Sequence, residues 1–255
     1  MNKRNHKKEW FDNDAYWRET FPFMFPKERM EIATETVEKI LEITGIQGGS
    51  ALDLCCGPGR CSLPLAKHGF SVTGVDRSKF FLAKARAGAR AARLNVEWVQ
   101  SDMRNFVRAG AFNLVLSMFT SFGYFEDRDE DLAILKNVFR SLRPGGAFFI
   151  DVLGKEILAR ILQDSSVRAL PDGTTLFEQR KIIDDWSRVV TDWNIIRKGK
   201  ARKFTTTLNL YSGQELREKL EQAGFSSVRL LGSIDRAPYD NQARRLIALA
   251  WKPAD

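Results

Sequence analysis

The spacing of apolar and polar positions divides the chain into successive regions. Between about residues 51 and 162, short apolar segments alternate with stretches in which apolar residues recur at helical spacing. This alternation is typical of βαβ units arranged around a parallel sheet. From about residue 174, three segments have the composition and turns of antiparallel strands, joined at Asp184-Asp185 and at Lys198-Gly199-Lys200. We therefore predict an antiparallel layer over 175–182, 188–195 and 203–210.

The two ends of the chain carry further predicted elements. Residues 9–27 are rich in aromatic side chains, and the segment after Met30 has the apolar spacing of an amphipathic helix that stops before Gly45. Near the other end, Ser212 is placed to cap a helix that ends at Gly224. Two last strands are predicted over 228–231 and 246–251. We expect the aromatic segment to form a lid beside the sheet.

The candidate chemistry lies at the ends of the first three predicted strands. Asp53 lies within an apolar strand that leads into a turn containing Gly57 and Gly59, and a helix follows. Asp76 and Asp102 close the next two strands. Glycines allow the backbone to approach a ligand closely, and open α/β sheets bind ligands at the carboxyl ends of their strands. The pattern predicts a site for a nucleotide-type cofactor.

The glycine turn differs from the dinucleotide fingerprint, because Ser62 stands where G-x-G-x-x-G requires a third glycine. Ala51-Leu52-Asp53-Leu54-Cys55-Cys56-Gly57-Pro58-Gly59-Arg60 instead resembles motif I of the class I S-adenosylmethionine-dependent methyltransferases. The resemblance continues in order over about residues 50–155. It includes Gly74-Val75-Asp76-Arg77-Ser78, Ser101-Asp102-Met103-Arg104, Phe112 to Ser117, and Leu142-Arg143-Pro144-Gly145-Gly146 leading to Asp151.

The resemblance implies an α/β, Rossmann-like fold. It has a mainly parallel seven-stranded sheet, helices on both faces and the strand order 3-2-1-4-5-7-6. We expect a lid and helix over 1–45, and a cofactor-binding core over 46–165 and 211–255. The antiparallel insertion over 166–210 is expected to cover the substrate site. A monomer or a homodimer is consistent with this reading.

The resemblance also implies roles for individual residues toward S-adenosyl-L-methionine. Gly57 and Gly59 would line the methionine part, and Asp76 would accept hydrogen bonds from both ribose hydroxyls. Asp102 would accept one from the adenine amino group, and Asp53 would brace the glycine turn. The remaining residues expected around the cofactor are Cys55, Arg77, Met103, Ser117, Met118 and Phe119, the last three of which would border the sulfonium.

Several of these positions have simpler structural explanations. Asp76 is also placed to cap the following helix, and Asp102 to stabilise a turn. Cys55 stands where the family commonly has glycine; we expect it to adopt ordinary strand-end angles and to act as a packing group. Tyr16 either closes over the methionine moiety or only packs among its aromatic neighbours.

The acceptor is less well defined by the sequence. The inserted layer and the aromatic lid resemble those of small-molecule N- and O-methyltransferases, and Asp151 is the candidate substrate-orienting carboxylate or general base. Candidate cavity walls are Trp186, Trp193, Tyr211 and Tyr239-Asp240. The resemblance therefore favours methyl transfer to nitrogen or oxygen of a small-molecule acceptor by in-line displacement.

A net charge of +8 keeps an RNA substrate open as an alternative. The Asn/Asp-Pro-Pro-Tyr motif of nucleic-acid amino-methylating relatives is absent after the fourth strand, and we interpret the basic runs mainly as solvated faces. A cofactor-binding protein without catalysis is the remaining alternative, and a nicotinamide oxidoreductase is disfavoured. Salt-sensitive RNA binding would favour the RNA enzyme.

Composition excludes other classes of protein. No apolar run approaches the 18 residues of a membrane span, and the charged start leads to Trp10-Phe11 rather than to a signal peptide. Three clustered cysteines (Cys55, Cys56 and Cys61) do not form a disulfide framework or a zinc-site spacing, and the histidines His6 and His68 add no obvious ligand. We expect a cytoplasmic protein without a metal site or a membrane partner.

Overall fold

The parallel part of the chain forms a seven-stranded sheet. The computed structural model describes residues 9–254, so the basic segment 1–8 with His6 lies outside the described residues. The sheet order is β10-β11-β5-β4-β1-β2-β3, which confirms the predicted order. Only the pairs β5/β11 and β11/β10 are antiparallel. Its strands are β1 (Ser50–Leu54), β2 (Ser71–Asp76), β3 (Glu97–Gln100), β4 (Phe112–Ser117), β5 (Leu142–Val152), β10 (Ser227–Leu231) and β11 (Leu246–Trp251).

Seven α-helices are described in residues 9–254, after a 3-10 turn over Trp10–Asp12. Helix α2 ends where its C-cap, Gly45, adopts the left-handed conformation, and Ser212 caps α7 in a capping box with Glu215. Both ends agree with the sequence prediction. The helices are α1 (Asp14–Met24), α2 (Lys27–Thr44), α3 (Ser62–Lys67), α4 (Lys79–Ala91), α5 (Arg128–Ser141), α6 (Lys155–Ile161) and α7 (Gly213–Gln222).

The inserted layer is a separate antiparallel sheet of four strands in the order β6-β7-β8-β9. Three of these strands were predicted: β7 (Thr175–Ile183), β8 (Arg188–Arg197) and β9 (Lys200–Asn209). The sequence analysis missed the edge strand β6 (Ser165–Ala169). Four of its five residues are exposed, so it lacks the apolar alternation that marks a half-buried strand.

The second sheet is attached to the main domain by buried polar contacts. Tyr211 donates to Asp131 of α5 at 2.5 Å, and Asn209 donates to the same carboxylate at 2.9 Å. Asp131 is fully buried, and burial raises its pKa although both hydrogen bonds oppose that shift. These contacts fix the end of β9 beside the carboxyl ends of the parallel strands.

The aromatic N-terminal segment packs against both sheets. Trp10 donates its indole N–H to the Thr207 carbonyl at 3.0 Å, and its ring lies 4.7 Å from that of Tyr124. Tyr16 of α1 packs 5.6 Å from Phe204 and 6.2 Å from Trp193, measured between ring centroids. The segment therefore bridges the second sheet and the strand ends of the first.

Candidate active site

A cavity of about 350 Å³ lies at the carboxyl ends of the parallel strands. The parallel sheet, the aromatic segment and the second sheet all contribute to its wall. Its lining includes most of the predicted site residues, namely Tyr16, Asp53, Cys55, Gly57, Asp76, Arg77, Asp102, Met103 and Met118. Three predicted residues, Gly59, Ser117 and Asp151, are not among the lining residues.

The glycine turn has the left-handed backbone that its glycines allow. Gly57 has a φ of +54° and Gly59 a φ of +87°. A Cβ at Gly57 would face the Phe25 ring at 3.6 Å, whereas one at Gly59 would meet Trp98 and Ala85, away from the cavity. Gly57 is thus the glycine that borders the cavity. Gly59 allows the turn to pack tightly against α4 and β3.

We predicted ordinary strand-end backbone angles for Cys55, and this prediction is wrong. Its φ is +62°, so this residue occupies the left-handed region that the family's usual glycine enters without strain. Its Sγ lies 3.5 Å from the Met103 Sδ, beside the cavity. Burial raises the pKa of the Cys55 thiol well above its ordinary value. The side chain packs as expected, but on a strained backbone.

Asp76 has both carboxylate oxygens anchored to the backbone around the cavity. One oxygen accepts the Gly57 N–H at 2.9 Å, and the other accepts the Ser78 N–H at 2.8 Å. Burial raises the pKa of Asp76 to about 6, although these two bonds favour the charged form. Each oxygen keeps a lone pair for a further donor. Asp76 therefore holds the glycine turn and α4 while retaining capacity to bind a diol.

Asp53 braces the turn from beneath. Its carboxylate accepts the Ser62 hydroxyl at 2.5 Å, and burial raises the pKa of Asp53 to about 6. Ser62 occupies the position of the missing third glycine. The replacement therefore supplies a buried hydrogen bond to the strand acid, as well as distinguishing this turn from the dinucleotide fingerprint.

An ion-pair cluster surrounds Asp102 at another part of the cavity. Burial opposes the charge on Asp102, but its bonds with Arg104, at 2.8–3.0 Å, hold its pKa below the ordinary value. Arg104 also pairs with Glu9 at 3.0 Å, and Arg77 pairs with Asp12. The aromatic segment is therefore tied by charge to the strand ends.

Tyr16 packs among its aromatic neighbours, as one of its two descriptions predicts, and its closure over the methionine moiety stays a prediction. It is 3% exposed, it packs among aromatic rings, and it lines the cavity. Of the other proposed walls, only Trp193 lines the cavity. Tyr211 is held by Asp131, Tyr239 donates to Glu156 at 2.7 Å, and Trp186 is exposed on a turn. None of those three residues lines the cavity.

Asp151 lies behind the cavity wall. It accepts Arg245 Nε at 2.6 Å and the Phe119 N–H at 3.2 Å. Phe119 and Thr120 form a turn with φ of +58° and +63°, and Thr120 also accepts Arg245 Nη2 at 2.8 Å. These contacts hold the strained turn after β4, so the geometry favours a positioning role for Asp151.

Sequence reasoning missed part of the lining. The turn after β4 supplies Thr120 and Ser121 beside the expected Phe119, and Tyr124 follows it. The second sheet adds Thr191, Thr206 and Leu208. Period-two alternation gave a usable signal for the second group, because Thr191 and Trp193 share one face of β8. The turn residues carry no such periodic signal.

Residues 9–254 contain neither a metal-binding cluster of side chains nor a helix able to span a membrane. No group of three or more His, Cys, Asp or Glu side chains there is arranged to hold a metal ion. Within the same range, none of the helices combines the length and apolarity needed to cross a bilayer. The basic residues of α4 that we interpreted as a solvated face, Lys79, Lys84, Arg86 and Arg90, are exposed, and so is Arg93, which follows the helix.

The sequence of this chain is similar to those of proteins named as methyltransferases. Residues 51–146 match a family described as a methyltransferase domain. YqeM of Bacillus subtilis, a protein named as a methyltransferase, is 28% identical over 84% of this chain and 88% of its own length. The cypemycin N-terminal methyltransferase of Streptomyces is 34% identical, over 42% of each chain.

Solved structures share the fold over most of the chain. An S-adenosylmethionine-dependent methyltransferase from Clostridium acetobutylicum has a TM-score of 0.77 at 17% identity, covering 95% of this chain and 99% of its own. CalS10, an amino pentose methyltransferase from Micromonospora echinaspora solved with its cofactor bound, has a TM-score of 0.65 at 18% identity, covering 98% and 100%. Residues 51–146 therefore match a methyltransferase domain that begins within β1 and includes the glycine turn, and the solved structures show that the chain has the fold of S-adenosylmethionine-dependent methyltransferases.

Proposed function

We propose that this methyltransferase acts on a nitrogen or oxygen atom of a small-molecule acceptor. The observation that carries the proposal is the composition of the cavity wall opposite the glycine turn. Tyr16 of the aromatic segment and Trp193 of the second sheet face the same cavity as the strand ends. An aromatic wall with a few hydroxyls suits a small molecule with an apolar body.

The residues present fit the cofactor. Asp76 keeps two free lone pairs at a buried position, as a ribose diol requires, and Gly57 leaves a gap that a Cβ would narrow. Arg77 has a buried Nη1 without a hydrogen-bond partner within the described chain. We assign Asp76 to the ribose, the Gly57 turn to the methionine part, and Asp102 with Met103 to the adenine end.

S-adenosylmethionine supplies a methyl group already activated by a sulfonium charge. The protein's task is then mainly to align the acceptor and to exclude water, and such orientation contributes up to about 7–11 kcal/mol. The strained turn at Phe119 and Thr120, held by Asp151 and Arg245, fixes one wall beside the expected reaction centre. Tyr16 and Trp10 supply the wall that excludes water.

The names of similar proteins support a small acceptor. They include a sugar N-methyltransferase from Streptoalloteichus, the amino pentose enzyme and ubiquinone biosynthesis O-methyltransferases. These acceptors belong to those proteins. For this chain they support an amine or hydroxyl on a small molecule as the methylated group, and they leave its identity to experiment.

The test is transfer of label from methyl-tritiated S-adenosylmethionine into two fractions of a bacterial extract, small molecules and total RNA. We expect label in the small-molecule fraction, and we expect Asp76→Asn to reduce it strongly at fixed cofactor. Arg90→Met, an exposed change on α4, is the matched control. Label found in the RNA alone, or equal labelling by Asp76→Asn, would overturn the proposal.

A further inference from the structure

The cavity contains an arginine that the cofactor assignments leave unused. Arg60 follows the glycine turn, and its guanidinium stacks on the Phe119 ring at 3.5 Å. Its Nε is buried and lacks a hydrogen-bond partner, and no carboxylate in residues 9–254 lies within ion-pair distance of it. A half-buried guanidinium with free donors is costly unless a ligand supplies the acceptor.

The surrounding charges make this part of the cavity positive. Asp151 is the nearby acid, and its carboxylate is already engaged by Arg245 and by the Phe119 N–H. Arg29 also lines the cavity, and its Nη1 donates only to the Met24 carbonyl, at 3.3 Å. Burial is the main cause that lowers the pKa of Arg60; Arg29 and Arg245 lower it further, whereas Cys61 and Asp151 raise it. Arg60 and Arg29 therefore face the cavity without an ion-pair partner among residues 9–254.

We propose that Arg60, assisted by Arg29, forms a carboxylate-binding subsite, and that the acceptor carries this carboxylate. A planar guanidinium held flat on an aromatic ring presents its edge donors in the fork that matches a carboxylate. The cofactor's methionine also has a carboxylate, but an ammonium on the same carbon cancels its charge. A zwitterion would leave the positive charge of Arg60 and Arg29 uncompensated, whereas an anionic acceptor offsets it.

This inference rests on the proposed function, and its test separates the two. Binding of S-adenosylhomocysteine to the wild type is measured first by calorimetry, because failure there refutes the cofactor site itself. The protein saturated with S-adenosylhomocysteine is then titrated with small carboxylates and with their neutral amides. The probe pairs are benzoate and benzamide, phenylacetate and phenylacetamide, and N-acetylglycine and its amide.

We expect at least one carboxylate to bind the wild type at least tenfold more tightly than its amide. Arg60→Met should abolish this preference, Arg60→Lys should retain part of it, and Arg90→Met should leave it unchanged. An absence of preference in the wild type, or its survival in Arg60→Met, would overturn the proposal. Arg60→Lys keeps the positive charge. If this variant retains part of the carboxylate preference, misfolding is not the cause of the loss in Arg60→Met.

A second arm identifies which carboxylate Arg60 binds. S-adenosylhomocysteine carries the methionine-type carboxylate, and 5′-methylthioadenosine lacks it. If the acceptor supplies the carboxylate, Arg60→Met should change the affinity for both nucleosides equally and by less than threefold. A loss of tenfold or more for S-adenosylhomocysteine alone would assign Arg60 to the cofactor and refute the acceptor subsite.

Discussion

Asp76 makes a quantitative test of the cofactor site possible, because one carboxylate both anchors the backbone and faces the cavity. In Asp76→Asn, one of the two oxygens becomes an NH₂ group. That group can no longer accept the Gly57 or Ser78 N–H, nor a ribose hydroxyl. A hydrogen bond to a charged acceptor contributes about 1.5–3 kcal/mol. We therefore expect S-adenosylhomocysteine to bind at least tenfold more weakly to Asp76→Asn than to the wild type.

The pH dependence of binding makes this prediction sharper. Burial raises the pKa of Asp76 to about 6 in the free protein, and hydroxyl donors prefer the ionised carboxylate. At a pH one unit below that pKa, only about one-tenth of the carboxyl groups are ionised. The affinity should therefore fall about tenfold between pH 8 and pH 5, measured by calorimetry, and Asp76→Asn should lack this fall.

Asp53 provides the control, because its pKa is also raised to about 6 while its carboxylate is engaged by Ser62. We expect Asp53→Asn to retain the pH dependence. A wild-type affinity that is flat from pH 8 to pH 5 would refute the assignment of Asp76 to the ribose. If Asp53→Asn lost the pH dependence and Asp76→Asn kept it, the titrating group would be Asp53 and not Asp76.

The same ionisation has the opposite effect on the stability of the ligand-free protein. A carboxyl group with a raised folded-state pKa binds protons more tightly in the folded state, so its destabilising effect is full above about pH 6 and disappears below about pH 4. Relative to Asp76→Asn, the wild type should gain about 2–3 kcal/mol of unfolding free energy between pH 7 and pH 4. Urea unfolding at both pH values measures this difference, and a difference that is constant with pH would contradict the argument.

Three further changes test the surroundings of the site. Cys55→Gly should be about 0.5–1 kcal/mol more stable than Cys55→Ala in urea unfolding, because the left-handed backbone costs alanine more than chain entropy costs glycine; the reverse order would contradict the strain. Tyr211→Phe should lose about 1–3 kcal/mol of stability by removing a donor from buried Asp131, and an unchanged unfolding midpoint would show that the bond is dispensable. Arg104→Met should weaken S-adenosylhomocysteine binding by about three- to tenfold, since Asp102 loses its main partner; equal affinity would exclude a role for this cluster.

The order of the sheet was predictable through the family resemblance, which rests in part on local chemical signals at the first three strands. The acids at the ends of β1, β2 and β3 and the glycine turn occur in sequence at family spacing, and the observed strand order follows. The edge strand β6 was not predictable in the same way. Edge residues that pair on one side and face solvent on the other need no apolar alternation, and β6 is recognised only by its pairing with β7.

Site residues whose role depends on local backbone geometry were predictable from the sequence. Site residues whose role depends on contacts with distant residues were less predictable. Gly57 and Asp76 follow from the turn and the strand end, which are local. The roles of Asp151 and Arg60 depend on Arg245 and Phe119, which lie 94 and 59 residues away along the chain and show no spacing rule. A sequence places a carboxylate at the active edge, but it does not show that a distant arginine already holds it.

Cys55 and the turn held by Asp151 show the same physical principle: a strained backbone persists where the surrounding contacts fix it. At Cys55 the family's glycine is replaced, and the strained backbone persists because the next two residues are fixed: the Cys56 N–H donates to the Val75 carbonyl, and the Gly57 N–H donates to Asp76. At Phe119 and Thr120 two consecutive left-handed residues persist because Asp151 and Arg245 hold them. Strain at both cavity edges is thus maintained by buried carboxylates. On this reasoning the carboxylates around the cavity first shape the backbone; Asp53, Asp76 and Asp102 also lie on the lining, whereas Asp151 lies behind it.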